Sequence, residues 1–214
     1  MGNDLSTFPD FPAEIRAPTG TLYGVSGFQV HFANHDIMTP GDDPDVLVAM
    51  NPAALKVNSG TLKTGGLLVI NEGAFNTPNL KKAGYETNPL DGDDLARFRV
   101  IKLDISKLTL AAVAEYGLGA KDGGRCKNMW TLGLMFWLFG RDRASTVEWL
   151  NQKFAKDPNL AAANIAALNA GHAYGETAEM PGGIGAYQVP KADLKPGEYR
   201  SVDGNQALAW GLVQ

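Results

Sequence analysis

Asp45-Val46-Leu47-Val48-Ala49-Met50-Asn51 and Gly66-Leu67-Leu68-Val69-Ile70-Asn71 decide the fold of this chain. Both are short runs that are apolar at successive positions, so they would bury side chains on both faces. That is what a parallel sheet covered by helices on each side requires, and an antiparallel sheet with one wet face does not. The first run follows the turn-forming Thr39-Pro40-Gly41-Asp42-Asp43-Pro44. Fifteen residues, Asn51 to Gly65, separate the two runs, with a short helical pattern around Pro52-Ala53-Ala54-Leu55. A parallel crossover needs about a dozen residues or more, so the pair predicts a compact βαβ unit with a right-handed crossover. The fold class is therefore α/β: an open, mostly parallel, Rossmann-like sheet with flanking helices.

Outward from that unit, Gly27-Phe28-Gln29-Val30-His31-Phe32-Ala33 alternates Phe28, Val30 and Phe32 with more polar neighbours, which predicts a half-buried strand. Phe98 to Ile105 predicts a fourth strand. Met1 to Asp10 is polar and turn-like, and the strand, Gly-rich turn and helix that usually open such a sheet are missing from the chain. The second half is helical. Thr109 is positioned to cap a short helix through Ala111-Ala112-Val113-Ala114, with Gly117 ending it. Asn128 to Phe139 is the most apolar helix. Ser145 with Glu148 forms a capping-box pattern, after which Val147, Leu150 and Phe154 share one face. Asp157-Pro158 opens a helix that runs through Leu168 towards Gly171. Pro and Gly then break the pattern from Pro181 onward, and Tyr199 to Val213 has the cap and first turns of another helix.

Composition narrows the function classes. The 214 residues carry 19 Lys and Arg against 23 Asp and Glu, a net charge of -4, which lacks the basic footprint of a nucleic-acid binder. The single cysteine, Cys126, excludes an intrachain disulfide and any Cys-only metal or iron–sulfur site within the chain. The longest apolar run, Met129 to Gly140, would span only about 18 Å as a helix, too short for a bilayer. With no basic-then-apolar leader at Met1, the expectation is a cytoplasmic protein with no membrane contact.

The chemistry-bearing residues are few. Gly65-Gly66, Gly123-Gly124 and Gly182-Gly183 lack the strand-before, helix-after context of a phosphate loop, which also removes a nicotinamide-dinucleotide reading. His31 and His35 share a strand face but lie about 13 Å apart, too far for one metal. His172 follows what reads as a helix-ending Gly and needs no function. Cys126 lies between Arg125 and Lys127, yet no base or second cysteine accompanies it, so it is read as a core residue. Three places remain as candidate ligand contacts. Glu14 and Arg16 form an ion-capable pair in a loop bracketed by Pro12 and Pro18. Lys127 and Asn128 belong to Arg125-Cys126-Lys127-Asn128 at the start of the most apolar helix, where cations oppose the macrodipole and a bound anion would offset that. Asn51 follows a two-faced strand, at the carboxyl end where open α/β sheets bind ligands. No catalytic residue and no metal ligand is assigned.

Longer words of the sequence carry a resemblance. Phe11-Pro12-Ala13-Glu14-Ile15-Arg16, Gly27-Phe28-Gln29-Val30, and Thr39-Pro40-Gly41-Asp42 through to Asn51 resemble the gamma domain of the 2-oxoacid:ferredoxin oxidoreductases. The likeness is greatest to the alpha subunit of the 2-oxoglutarate type. It continues through Ala54-Leu55-Lys56, Asn79 to Tyr85, Arg125 to Asn128 and Ala170-Gly171-His172-Ala173-Tyr174-Gly175-Glu176-Thr177. The final Gly204-Asn205-Gln206-Ala207-Leu208-Ala209 resembles the opening of that subunit's thiamine-pyrophosphate pyrimidine-binding domain.

The resemblance implies a gamma domain over residues 1–180, a linker over 181–198 and the start of the pyrimidine-binding domain over 199–214. It implies oxidative decarboxylation of a 2-oxoacid with coenzyme A to acyl-CoA, CO2 and reduced ferredoxin. Thiamine pyrophosphate would be held with a beta-type subunit, and iron–sulfur clusters would carry electrons to ferredoxin. The Rossmann-like gamma domain is the accessory part, with Glu14, Arg16, Asn51, Lys127 and Asn128 as its site-facing positions. The family's opening strand, its Gly-rich loop and its Pro-Ile-Thr-Pro-type segment have no counterpart in the 214 residues. The chain alone is therefore expected to have no oxidoreductase activity. The competing expectation is a free-standing α/β binding or assembly module without catalysis, closed as a monomer or paired as a homodimer.

Overall fold

A computed structural model describes residues 3–10, 26–38, 41, 43–178, 184–200 and 202–213. Its centre is a parallel sheet of β3 (Val46–Ala49), β4 (Leu67–Asn71) and β5 (Arg99–Leu103), in the order β3-β4-β5. Helix α1 (Pro52–Asn58) connects β3 to β4, as the two apolar runs require. Every residue of β4 is buried, and the pleat divides them between two cores. Leu67 and Val69, with Ile101 and Leu103 of β5, face Trp130, Leu134, Leu138, Ala163 and Ala167. Leu68 and Ile70 face Leu55, Phe75, Leu90 and Phe98. The sheet is thus the middle layer of three, and alternation of side chains along one strand produces both interfaces.

Helix α2 (Thr77–Lys82) lies on the α1 side, opened by Asn76, whose side chain accepts from the amide of Asn79. The opposite layer holds α3 (Ile105–Ala112), α4 (Ala120–Arg125), α5 (Lys127–Leu138), α6 (Ala144–Lys153) and α7 (Pro158–Thr177). Asp157 caps α7 by accepting from the Leu160 amide at 3.0 Å, with Pro158 in the first turn. Cap and proline fall where the sequence places them. Helix α8 (Gly204–Val213) follows an irregular segment and has no buried residue.

Several local expectations are corrected. Residues Asp4–Asp10 form a strand, β1, rather than turns, and pair antiparallel with β2 (Gly27–Ala33) in a separate two-stranded ribbon. In β2, Phe28 and Val30 are exposed, and of the alternating set only Phe32 packs inward, edge-on to Phe139 at 5.1 Å. Asp104, not Thr109, caps α3; Thr109 is buried one turn inside it, its hydroxyl donating to the carbonyl of Ile105. Ile105 therefore belongs to the helix and not to the fourth strand. The Ser145–Glu148 box does not form, because α6 begins at Ala144, whose amide is already taken by Asp142.

Gly171 does not end α7, and His172 lies within the helix. Gly171 faces the carbonyl of Trp130, and Gly133 of α5 faces the carbonyl of Leu168. Gly175 makes room for the Trp137 ring. These glycines let two helix backbones meet with no side chain between them, a closer approach than the usual 8–10 Å interaxial spacing supports.

Candidate functional site

In a parallel sheet the carboxyl ends of all strands point the same way, and helix starts collect there. Each strand of this sheet ends on, or within two residues of, a polar side chain. Asn51 follows β3, Asn71 closes β4 and Asp104 follows β5. Asn51 caps α1, its Oδ1 accepting from the Ala54 amide at 2.9 Å. Asp104 caps α3, accepting from the Lys107 amide at 2.9 Å. Asx residues there satisfy helix N–H groups that would otherwise lack partners.

Asn71 is fully buried and bridges the three strand ends. Its amide nitrogen donates to the carbonyl of Met50 at 3.3 Å and to Ser106 Oγ at 3.2 Å, while its Oδ1 accepts from the Ser106 amide at 3.3 Å. A buried amide with both ends partnered fixes backbone that would otherwise fray. Asn71 ends the apolar run Leu67 to Ile70 as Asn51 ends the run Val46 to Met50, and that parallel is the sequence signal for it, although in the sheet Asn71 stands level with Met50.

Helix α5 reaches this end of the sheet. Thr131 Oγ1 lies 3.6 Å from Met50 Sδ and donates to the carbonyl of Lys127 at 2.8 Å. The first turn of α5 is thereby brought beside the residue preceding Asn51. Among the sequence candidates, Asn51 follows Met50, and Lys127 and Asn128 lie in the first turn of α5, one turn before Thr131, Lys127 half-buried and Asn128 exposed. Glu14 and Arg16 lie outside the described residues.

The start of α5 differs from a free helix terminus. Cys126 has helical backbone, and its amide donates to Gly123 at 3.1 Å, so α4 runs into α5 almost without a break. Arg125 is in the last turn of α4, where a cation suits the dipole, and it pairs with Asp122 at 2.9 Å. Cys126 is buried among core residues. Burial pushes its thiol above the ordinary value, and the nearby Asp122 carboxylate adds to the effect. This is an inert core thiol, the opposite of an activated one. A four-thiolate cluster needs more thiols than this one cysteine supplies. Among the described residues no group of three His, Cys, Asp or Glu side chains assembles for a metal. No described helix is long and apolar enough to cross a membrane.

A shallow groove lies elsewhere among the described residues, between α6 and α7, lined by Tyr116, Phe154, Ile165 and Asn169. It contains none of the candidate residues. The strand ends carry the convergent polar groups, and position in the fold favours them over the groove.

Comparison with known proteins supplies what geometry alone does not. Residues 1–174 match the family model described as pyruvate ferredoxin/flavodoxin oxidoreductase. The chain is 52% identical over 213 residues to the 2-oxoglutarate oxidoreductase subunit KorA of Mycobacterium tuberculosis; the match covers all of this chain and 32% of that protein. The chain thus spans about a third of that relative's length. Among solved structures, the 2-oxoglutarate:ferredoxin oxidoreductase of Magnetococcus marinus, determined with 2-oxoglutarate, coenzyme A and succinyl-CoA bound, aligns with a TM-score of 0.61. That alignment covers 90% of this chain and 28% of the other at 23% identity, and it establishes the shared α/β fold. Family model and sequence identity together place the chain in the pyruvate ferredoxin/flavodoxin oxidoreductase family.

Proposed function

We propose that this chain is the accessory gamma domain of a 2-oxoacid:ferredoxin oxidoreductase whose substrate is 2-oxoglutarate. The whole enzyme would decarboxylate the 2-oxoacid oxidatively with coenzyme A, giving an acyl-CoA, CO2 and reduced ferredoxin. The observation that carries this reading is the 52% identity, sustained along the whole chain, with a 2-oxoglutarate oxidoreductase subunit. In this reading thiamine pyrophosphate chemistry belongs to neighbouring domains and a beta-type subunit. Iron–sulfur clusters serve ferredoxin elsewhere in a cytoplasmic complex. Residues 1–180 are the gamma domain, 181–198 the connection, and 199–214 the opening of the pyrimidine-binding domain.

The gamma domain's own task is to bind and orient coenzyme A, whose phosphates are polyanionic. Lys127 and Asn128, in the first turn of α5, together with Asn51 at the end of the β3 run, are the described residues suited to it. Lys127 supplies a cation, Asn128 an exposed amide, and Asn51 a rigid helix start. Glu14 and Arg16 belong to the same proposal from sequence.

A chimera tests the reading: this chain replaces the matching segment of the KorA relative, and the assembled enzyme is assayed for coenzyme A-dependent viologen reduction with 2-oxoglutarate. Retained turnover is expected. Lys127→Ala in the chimera should raise KM for coenzyme A while leaving KM for 2-oxoglutarate unchanged. An assembled chimera without coenzyme A-dependent turnover overturns the assignment. An unchanged KM for coenzyme A overturns the site.

A further inference from the structure

The segment after α7 packs on the body instead of hanging free. Ile184 is buried in the α5–α7 core, and the Tyr187 amide donates to the carbonyl of Leu138 at 2.6 Å. The Tyr187 ring stacks on Phe139 with centroids 5.5 Å apart, and its hydroxyl accepts from Arg99 at the amino end of β5. Three residues on, the carbonyl of Pro190 accepts from Asn3 Nδ2 at 2.7 Å. Asn3 immediately precedes β1, and its Oδ1 accepts from Arg141 Nη1 at 2.6 Å. Arg141 in turn lies over the Phe32 ring at 4.8 Å, and Phe32 meets Phe139. The path closes: Tyr187, Phe139, Phe32, Arg141, Asn3 and Pro190 form a ring of contacts at the amino-terminal side of the sheet. This is the end opposite Asn51 and Asn71.

Two features make that ring separable from the rest. Among the described residues the β1–β2 ribbon is two strands, with Leu5, Phe28 and Val30 exposed on the face they share with Phe32, and such ribbons have little stability of their own. Among the described residues, its ring contacts and its side-chain bonds to α5's end and to the strap fall on Phe32 and the adjoining Asn3. The node also holds an imperfection, because Arg141 Nη2 is buried with no hydrogen-bond partner among the described residues. Elements with few buried contacts and unsatisfied groups open before the core does.

We propose that strap 184–190 and the β1–β2 ribbon form one cooperative unit that docks and releases together, independently of the sheet and of α5–α7. The position of the chain beyond Pro190 is then coupled to the ribbon through Tyr187 and Asn3. A partner or domain that pulls the strap away loosens the ribbon, and ordering of the ribbon seats the strap. Such coupling must be reciprocal, because it is one free energy shared by two sites.

Hydrogen exchange on the full chain, read by peptide, tests this with Tyr187→Ala, Asn3→Ala and Tyr187→Phe. Tyr187→Ala should speed exchange of the β1–β2 amides at least tenfold and leave β4 (Leu67–Asn71) unchanged. Asn3→Ala, which removes the side-chain bonds to Pro190, to Arg141 and to the Ala33 carbonyl of β2, should speed exchange of the 184–190 peptide by a similar factor. Tyr187→Phe keeps the stacked ring and should move both regions less than Tyr187→Ala does. Unchanged ribbon exchange in Tyr187→Ala overturns the proposal. So does loosening in one direction without the other, or a rise that appears equally in β4.

Discussion

Replacing Gly171 by Ala sets two opposed effects against each other. In an ordinary helix interior this change stabilises by about 1 kcal/mol, because glycine loses more backbone freedom on folding. Here the added methyl would stand 2.8 Å from the carbonyl carbon of Trp130, nearer still to its oxygen, and 3.1 Å from the Leu134 nitrogen. Comfortable carbon–carbon separation is about 3.5–4.0 Å, so α5 and α7 must part by roughly 1 Å. The obstacle is main chain, which cannot rotate aside as a side chain could. A gap of that size forfeits a quarter to a half of each dispersive contact across it, and the interface holds Trp130, Leu134, Ala163, Ala167 and Leu168, all buried. Overpacking of a tight core costs about 1–3 kcal/mol, and the upper end applies here. Subtracting the propensity gain leaves a net loss of about 2 kcal/mol, or about 4–8 °C in Tm for a chain of this size. Gly124 is the internal control: it lies in α4 with open space around the position of a Cβ. Urea unfolding followed by far-UV circular dichroism should show Gly171→Ala destabilised and Gly124→Ala neutral or slightly stabilised. A Gly171→Ala protein as stable as Gly124→Ala would refute the claim that backbone contact sets the spacing of these helices.

Three further outcomes are expected. Cys126 should resist a thiol reagent at pH 8 in the native chain and label only as fast as the protein unfolds; and because burial keeps its thiol protonated, the contribution is complete below the unfolded-state pKa of about 8.5 and declines as pH rises towards the folded value, so the alkaline loss of urea midpoint should shrink in Cys126→Ala. Asn71→Ala strands the Met50 carbonyl and the Ser106 amide and should cost about 2 kcal/mol by urea unfolding, whereas a loss below about 0.5 kcal/mol would mean that the bridge is idle. The isolated chain, supplied with 2-oxoglutarate, thiamine pyrophosphate and coenzyme A, should reduce no viologen, and steady turnover there would place the chemistry within these residues.

What was legible in the sequence follows from how much each stretch leaves to context. Strand β4 and its crossover from β3 could be read because four successive apolar residues, Leu67 to Ile70, fit a strand buried on both faces, and little else that short looks like it. Alternation in β2 identified a strand, but a period of two says which residues share a face and not which face is buried. Phe28 and Val30 share a face with Phe32, yet they are exposed while Phe32 is partly covered, because Phe139 meets the strand at Phe32. Strand β1 was missed because Asp4-Leu5-Ser6-Thr7 has too few apolar residues to show a period, its pairing being set by β2. Gly171 looks locally like a helix stop; only its four-residue spacing from Gly175, matched by Gly133 on another helix, distinguishes a packing glycine. At the strand ends Asn51 was legible and Asn71 was not singled out. The same rule, a polar residue closing an apolar run, applied to both.

Helix α8 opens with a reciprocal cap: Asp203 Oδ1 accepts from the Gln206 amide at 2.8 Å, and Gln206 Oε1 accepts from the Asp203 amide at 3.2 Å. Yet Leu208, Trp210, Leu212 and Val213 are all exposed, so no packing on the other described residues holds the helix together. A ten-residue helix without packing is marginal in water, and its folded fraction depends on how it starts. A receiving surface recognises only that fraction, and its apparent affinity falls in proportion to the unfolded remainder. Losing a cap worth about 1 kcal/mol would therefore weaken capture of α8 by up to about fivefold without altering a single contact on the surface that receives it. Asp203 and Gln206 would then act as a dial on association, set entirely within the helix that is captured.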